Sequence, residues 1–484
     1  MNQLKGLDAG FLYAETARMP MHIGSVQMFE PPADRTDDFF AGMKRMVRTR
    51  SHLLPYMTHR IGHAPLQIDH PSWVACEPDY DAHIERVELS PPGDVPQLEQ
   101  LVASLHARPL DRSRPLWKIY CIDGLADGRI AYFNVVHHAC LDGLAGQAAV
   151  DVLTDPAPAI TDALAPTPAN ALPNTRGVFE RLLDRGAESI ADTARSIDAF
   201  VRIGRHLITR PPGESAPLLA PSTPLNRTIG AERRYAVLRV SLADVKAIGK
   251  VHGCSVNDVF LTMCGGALRA YLSRAGVLPD ASLLAGVPVS VRRPDDRTMN
   301  TQVSMMRVAL GTQIADPVAR LLAVHAAAID AKELAQHFNA LLPTNPRLIG
   351  APWLGRAATR LWELSGAANY VPPPINVVIS NVPGPRTIRY SNGARMLTHF
   401  PVSIPAHGAG MNITVQSYAE HFDIGITACA ATMPDLSSFR YDLLRAYIDL
   451  RARVLKRTFD VRTLHPAPPR AIERRCLQRE LLVA

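Results

Sequence analysis

Two proline-rich stretches divide this chain and limit what it can fold into. Five prolines fall between Pro156 and Asn174, and a second such run spans Arg210 to Pro224. Proline fixes φ and removes a backbone donor, so neither run continues a helix or enters a central strand. Between them, Arg176 to Ile208 carries Phe179, Leu182, Leu183, Ile190, Ala194, Ile197, Val201 and Ile208 on one side of a helical pattern. The chain therefore reads as two units around a connector. These are an N-terminal half over 1–154, linkers and a crossover helix over 155–230, a C-terminal half over 231–457, and a basic flexible tail over 458–484.

Each half mixes strands and helices. Thr36 is the expected N-cap of a helix running to Arg50, and Pro96 suits the first position of a helix running to Ala107. Arg129 to Val136 is β-rich and leads into His137-His138-Ala139-Cys140-Leu141-Asp142-Gly143, with a helix expected over Leu144 to Leu153. In the second half, strands are expected at Tyr235–Val240, Leu284–Val291, Val303–Leu310, Ile375–Ser380, Met411–Gln416 and Phe422–Thr427. The last packed helix is expected over Ser437–Lys456. The class is α/β in the α+β sense.

Charge excludes one large class of function. The formal net charge is +7, but nine basic residues stand against three acidic ones after position 450. The body is nearly neutral, so no nucleic-acid footprint is present. Seven scattered cysteines with no Cys-x-x-Cys pair read as reduced thiols, and the N-terminus has no signal-like apolar run. No uninterrupted apolar stretch reaches spanning length. A cytoplasmic protein, peripheral to membrane at most, is expected.

The motifs for phosphate loops, dinucleotide binding, nucleophile elbows and zinc proteases are missing. What remains is the HHACLDG segment. Adjacent histidines at a strand end point to opposite faces, so only one enters a given site. Three readings stand side by side here. The residues are ordinary strand-end residues, or His137, His138, Cys140 and Asp142 form a metal set that opposite-facing histidines serve poorly, or one histidine is a base for a hydroxyl. Asp142 sits where the chain turns into the helix, suited to an N-cap or a buried ion pair. Gly143 permits the turn.

Further segments, in order, carry a resemblance. They are Leu7-Asp8-Ala9, Phe11-Leu12-Tyr13-Ala14-Glu15-Thr16, Pro20-Met21-His22-Ile23-Gly24 and the run from Arg108 to Trp117. After HHACLDG come Val256-Asn257-Asp258-Val259, Asn300, Ser380-Asn381-Val382-Pro383-Gly384-Pro385 and Met433-Pro434-Asp435. Together, over residues 4 to 455, they resemble the bacterial wax ester synthase/acyl-CoA:diacylglycerol acyltransferase family, especially its actinobacterial triacylglycerol synthases. The resemblance implies two chloramphenicol-acetyltransferase-like halves enclosing a central channel.

It also implies that His138 is the general base, that His137 faces away and shapes the motif, and that Asp142 is structural. Asn257 resembles the family asparagine that could donate to an oxyanion, the plainer alternative being a helix cap. Glu15 and the Asn381–Pro385 turn are expected as scaffold. Acyl-CoA is implied as co-substrate, with no cofactor or metal. Diacylglycerol or a long-chain alcohol is the implied acceptor, met at a membrane or lipid droplet. The chain departs from the family pattern at Val135, where a basic residue is common, and at Cys429, where aspartate is usual. Acyl transfer to a polyketide or glycolipid hydroxyl, or lipid binding by a weakly active paralogue, are the rival functions.

Overall fold

The computed structural model describes residues 3–4, 6–32, 38–63, 67, 70–141, 143–159, 219–290, 303–341 and 351–456. The first half contributes strands β1 (His22–Glu30), β2 (His59–Gly62), β3 (Ser72–Ala75), β4 (Ile84–Glu88), β5 (Trp117–Asp123) and β6 (Ile130–His137). The second contributes β7 (Arg233–Ser241), β8 (Leu284–Ser290), β9 (Val303–Ala309), β10 (Val377–Val382), β11 (Tyr390–Ser391), β12 (Ala394–Val402), β13 (Met411–Tyr418) and β14 (His421–Cys429). The expected α+β class holds. Most sequence-predicted elements fall within a few residues of the observed ones.

Local chemistry explains the helix starts. Asp38, not Thr36, caps the helix Phe39–Arg50 by accepting from Phe40 N. Asp94 and Gln97 form a capping box at Val95–His106, and Ser255 with Asp258 does the same at Val256–Arg274. The predicted helix over 176–208 and the tail after 457 lie outside the described residues.

Two six-stranded sheets form, in the orders β11-β12-β1-β6-β5-β4 and β7-β14-β13-β10-β8-β9. The first departs from the linear division at residue 231. β11 and β12 come from the second half of the chain yet complete the sheet of the first. β12 pairs antiparallel with β1, Gly24 opposite Val402 and Gln27 opposite His399. Without it, β1 would present a row of unpaired amides at the sheet edge.

β12 then runs across the second sheet, and side chains of that sheet hold its backbone. A bulge opposite Met28 and Phe29 leaves Leu397 without a partner across the ladder. The Leu397 carbonyl accepts from Arg239 Nη2 at 2.7 Å instead. Arg239 also makes a bidentate bond to Asp423 at 2.5 and 2.7 Å, and Asp423 accepts from His399 N at 2.7 Å. Tyr235 donates its hydroxyl to the Pro401 carbonyl. At the crossing, a Cβ on Gly425 would lie 1.7 Å from that same carbonyl, so only glycine fits. One apolar core draws on both halves here, with Val26, Phe133, Tyr235, Val237, Phe400 and Val402 in contact.

Arg239 and Asp423 are both buried. Removing one partner of such a pair leaves the other charge without compensation, at a cost of about 3–5 kcal/mol. Asp423→Ala is therefore expected to lower unfolding free energy by about that much in urea titration, and a joint Arg239→Met, Asp423→Leu variant to recover only part of it, because Leu397 O and His399 N stay unmet. Unchanged stability in Asp423→Ala would show that the pair does not hold the crossing.

Candidate active site

The two histidines end β6 and separate as the strand pleat requires. His137 is fully buried. Its Nδ1 accepts from Ala139 N at 3.1 Å, which places a proton on Nε2, 3.1 Å from Glu15 Oε2. Glu15 lies just past the helix Gly6–Ala14 and also binds Arg112 at 2.8 Å and accepts from Met21 N at 3.1 Å. Burial alone would raise its carboxyl, but the His137 bond, the Arg112 charge and the Met21 amide together hold it at about 2. Glu15 is scaffold, as expected, with a definite task.

His138 faces the other way and lines a cavity of about 710 Å³. Its ring stacks on Phe11 at 4.1 Å and 7°, and its backbone N donates to Met21 O at 2.8 Å. Glu15 thus fixes both neighbours: it holds the His137 ring directly and His138 through Met21.

The cavity lies where the sheets meet. Ser25 and Gln27 of β1 and Asn134 and Val136 of β6 line one side; alternate residues Val378, Ser380 and Val382 of β10 and Asn412, Thr414 and Gln416 of β13 line another. Met43, Met46, Val47, Ala149, Val150 and Leu153 from two helices add an apolar sleeve. One polar group stands out, and sequence reasoning missed it. Asn134 Nδ2 donates to Gln27 Oε1 at 3.2 Å, and the Gln27 amide meets His399 Nε2 at 3.3 Å. With Nε2 accepting from that amide, His399 carries its proton on Nδ1. That atom is buried with no hydrogen-bond partner among the described residues. Nothing local to positions 27, 134 and 399 signals that they converge.

Asn257 does not join this set. It is the second residue of Val256–Arg274, half-buried and away from the cavity lining. The cap there is Ser255 with Asp258, so the capping role does not fall to Asn257. Asp142 and Asn300 lie outside the described residues. Cys429 is buried, and its Sγ accepts from Gly230 N at 3.3 Å. Cys254, Asp258 and His325 bring ligand-type atoms within 4.8 Å of one another, remote from the cavity residues. His325 Nδ1 and Ser255 N already bind Asp258 there, each at 2.8 Å.

Two α+β units joined by an exchanged strand, with a strand-end histidine facing the channel between them, define the chloramphenicol-acetyltransferase-like class of acyltransferase fold. Sequence comparison identifies the family. The wax ester synthase/diacylglycerol acyltransferase catalytic domain matches residues 4–260, and the C-terminal domain of the same family matches residues 300–451. A Mycobacterium tuberculosis protein carrying the name diacylglycerol O-acyltransferase is 35% identical over 433 residues, 88% of this chain and 94% of its own length. The structure of a wax ester synthase/diacylglycerol acyltransferase from Marinobacter aquaeolei VT8 superimposes with a TM-score of 0.68 at 26% identity, covering 94% of this chain and 100% of that one. The first condensation domain of the calcium-dependent antibiotic synthetase shares the fold, with a TM-score of 0.56 at 16% identity over 94% and 96% of the two chains. The chain belongs to the wax ester synthase/diacylglycerol acyltransferase family and is an acyltransferase.

Buried histidines make the fold acid-sensitive. Burial lowers His22 and His399 from 6.5 to about 4, and drives His106 well below 6.5. Their contribution to stability is complete above about pH 6.5 and is lost as pH falls toward 4, because the unfolded chain takes up the protons first. Each costs about 1 kcal/mol per pH unit in that window. Glu15 adds a further loss below its ordinary 4.5. The urea midpoint is expected to be flat above pH 6.5 and to fall steeply between 6.5 and 4; a midpoint constant through that window would contradict the buried, neutral assignment.

Proposed function

We propose that this chain moves a long-chain acyl group from acyl-CoA to the free hydroxyl of diacylglycerol, with a long-chain alcohol as second acceptor. His138 is the general base. One observation carries this reading: of the two motif histidines, His138 alone reaches the cavity, and its backbone and ring are both held there.

The chemistry follows. The imidazole takes the proton of the acceptor hydroxyl as its oxygen attacks the thioester carbonyl. The tetrahedral adduct expels CoA thiolate, which takes the proton back from the imidazolium. No acyl-enzyme and no cofactor beyond acyl-CoA as co-substrate are needed. Cys140, two residues from the base, is buried, and burial raises its thiol, which disfavours a thiolate nucleophile. The apolar sleeve suits a hydrocarbon chain and limits competing hydrolysis by water. Phe11 restricts the imidazole to an orientation parallel to its own ring.

The polar cluster of Gln27, Asn134 and His399 favours a second reading. Asn134 and His138, the residue just past β6, both line the cavity, and at strand rise four residues span roughly 13 Å. A hydrogen-bonding group that far from the base suits an acceptor with additional oxygens, such as a polyketide or glycolipid hydroxyl. The water-insoluble acceptors of either reading imply supply from a membrane or droplet surface that cytoplasmic acyl-CoA can reach. Among the described residues no helix is long and apolar enough to cross a membrane.

His138→Ala is expected to lower turnover about 100-fold or more without changing the circular dichroism spectrum or melting temperature. Radiolabelled acyl-CoA offered with diacylglycerol, long-chain alcohols and oxygenated acceptors measures this and ranks the acceptors together. A folded variant with near-normal turnover would remove His138 from the mechanism.

A further inference from the structure

The helix Ala351–Ser365 is packed the wrong way round. Trp353, Leu354, Leu361 and Leu364 are 62, 66, 69 and 74% exposed. At 100° per residue they fall, with Ala357, within an arc of about 100°. The side that faces the protein holds Pro352, Gly355, Thr359 and Glu363 beside Trp362, which is only 37% exposed. Gly355 rests on Tyr13, and Glu363 turns inward to Arg18 at 3.4 Å and His407 at 3.9 Å. A surface helix normally buries its apolar stripe and shows its charges to water. This one does the reverse, and Tyr370 and Val371 extend the exposed patch beyond its end.

We propose that this face lies in the surface of a lipid layer and docks the enzyme on the store of its acceptor. The proposal rests on the reading of a water-insoluble acceptor and names the surface that meets it. Three observations select lipid over other occupants. Tryptophan and tyrosine among leucines match the interfacial zone of a bilayer, where an apolar ring with a polar edge is favoured. The acid of the helix is paired inward while Arg360 stays exposed, so the outward charge is cationic and compatible with anionic headgroups. The patch also joins the channel. The helix packs on Gly6–Ala14 through Tyr13, and from that same helix Leu7 is half exposed while lining the cavity and Phe11 stacks on His138. A lipid entering beside Leu7 would move along one helix from the patch to the base.

The full chain, its Leu361→Asp/Leu364→Asp variant and a Trp353→Ala variant should be floated with phosphatidylcholine vesicles, with and without phosphatidylglycerol. Wild type is expected to float, best with phosphatidylglycerol, and its tryptophan emission to shift blue, since Trp353 and Trp362 are two of the chain's four tryptophans. The double variant should lose roughly tenfold or more in partitioning, because two leucines that would enter the lipid are replaced by charges. Its turnover of vesicle-embedded diacylglycerol should fall in step, with turnover of a short water-soluble alcohol unchanged. Equal flotation of variant and wild type would overturn the assignment of this helix. So would a wild type that binds no vesicle, or one whose patch proves on sizing to be covered by a second copy. Wild type that floats but acylates no diacylglycerol would instead leave the docking surface standing and sink the acceptor reading.

Discussion

The bidentate bond between Arg239 and Asp423 is the point on which the architecture turns. It is buried where two sheets cross, so little water screens it. Each partner also binds the backbone of β12, at Leu397 O and His399 N. A bulge in one sheet thereby becomes a specific address for the other. The pair does more for specificity than a hydrophobic replacement could, because a carbonyl and an amide two residues apart must both be met. From that fixed strand the rest follows in order: β12 sets β1, β1 sets β6, and β6 ends in the two histidines.

The channel inherits a division of labour from this arrangement. Glu15 directs its charge to the His137 ring, the Arg112 guanidinium and the Met21 amide, not to the His138 ring. A carboxylate placed directly against His138 would raise the basicity of the imidazole and hold it protonated. Here the Glu15 charge stays one peptide away, on His137, while the Met21 carbonyl and the Phe11 ring hold the base. The polar cluster at Gln27 follows a different logic. It places hydrogen-bonding capacity within a largely apolar sleeve, at some cost in desolvation, which makes it a place where acceptor choice can be set.

Much of this was legible in the sequence wherever the controlling interactions are local. The pleat of β6 alone separates His137 from His138, and the boxes at Asp94 and Ser255 mark their helix starts within four residues. The cap at Asp38 rather than Thr36 is an error of two residues between similar side chains. Other features have no local signal. The pairing of Gln27 with His399 spans 372 residues, and nothing in Ala394–Val402 says which sheet it will join. At Asn257 the cap reading missed by two residues, since Ser255 with Asp258 closes that helix start. For the helix Ala351–Ser365, only its contacts show which side faces inward.

The exchanged strand has a consequence for how the chain must be made. A ribosome releases the first 154 residues long before residues 394–402 exist, so the nascent first sheet waits with β1 as an open edge. Such an edge is a template for pairing with another chain, and the wait lasts on the order of ten seconds or more at ordinary elongation rates. Expressing residues 1–154 alone would yield a sheet lacking its closing strand. The contact that closes the sheet is also among the most distant in sequence, which places it among the slow steps of folding. Biosynthesis, rather than catalysis, is where this fold is most exposed to failure.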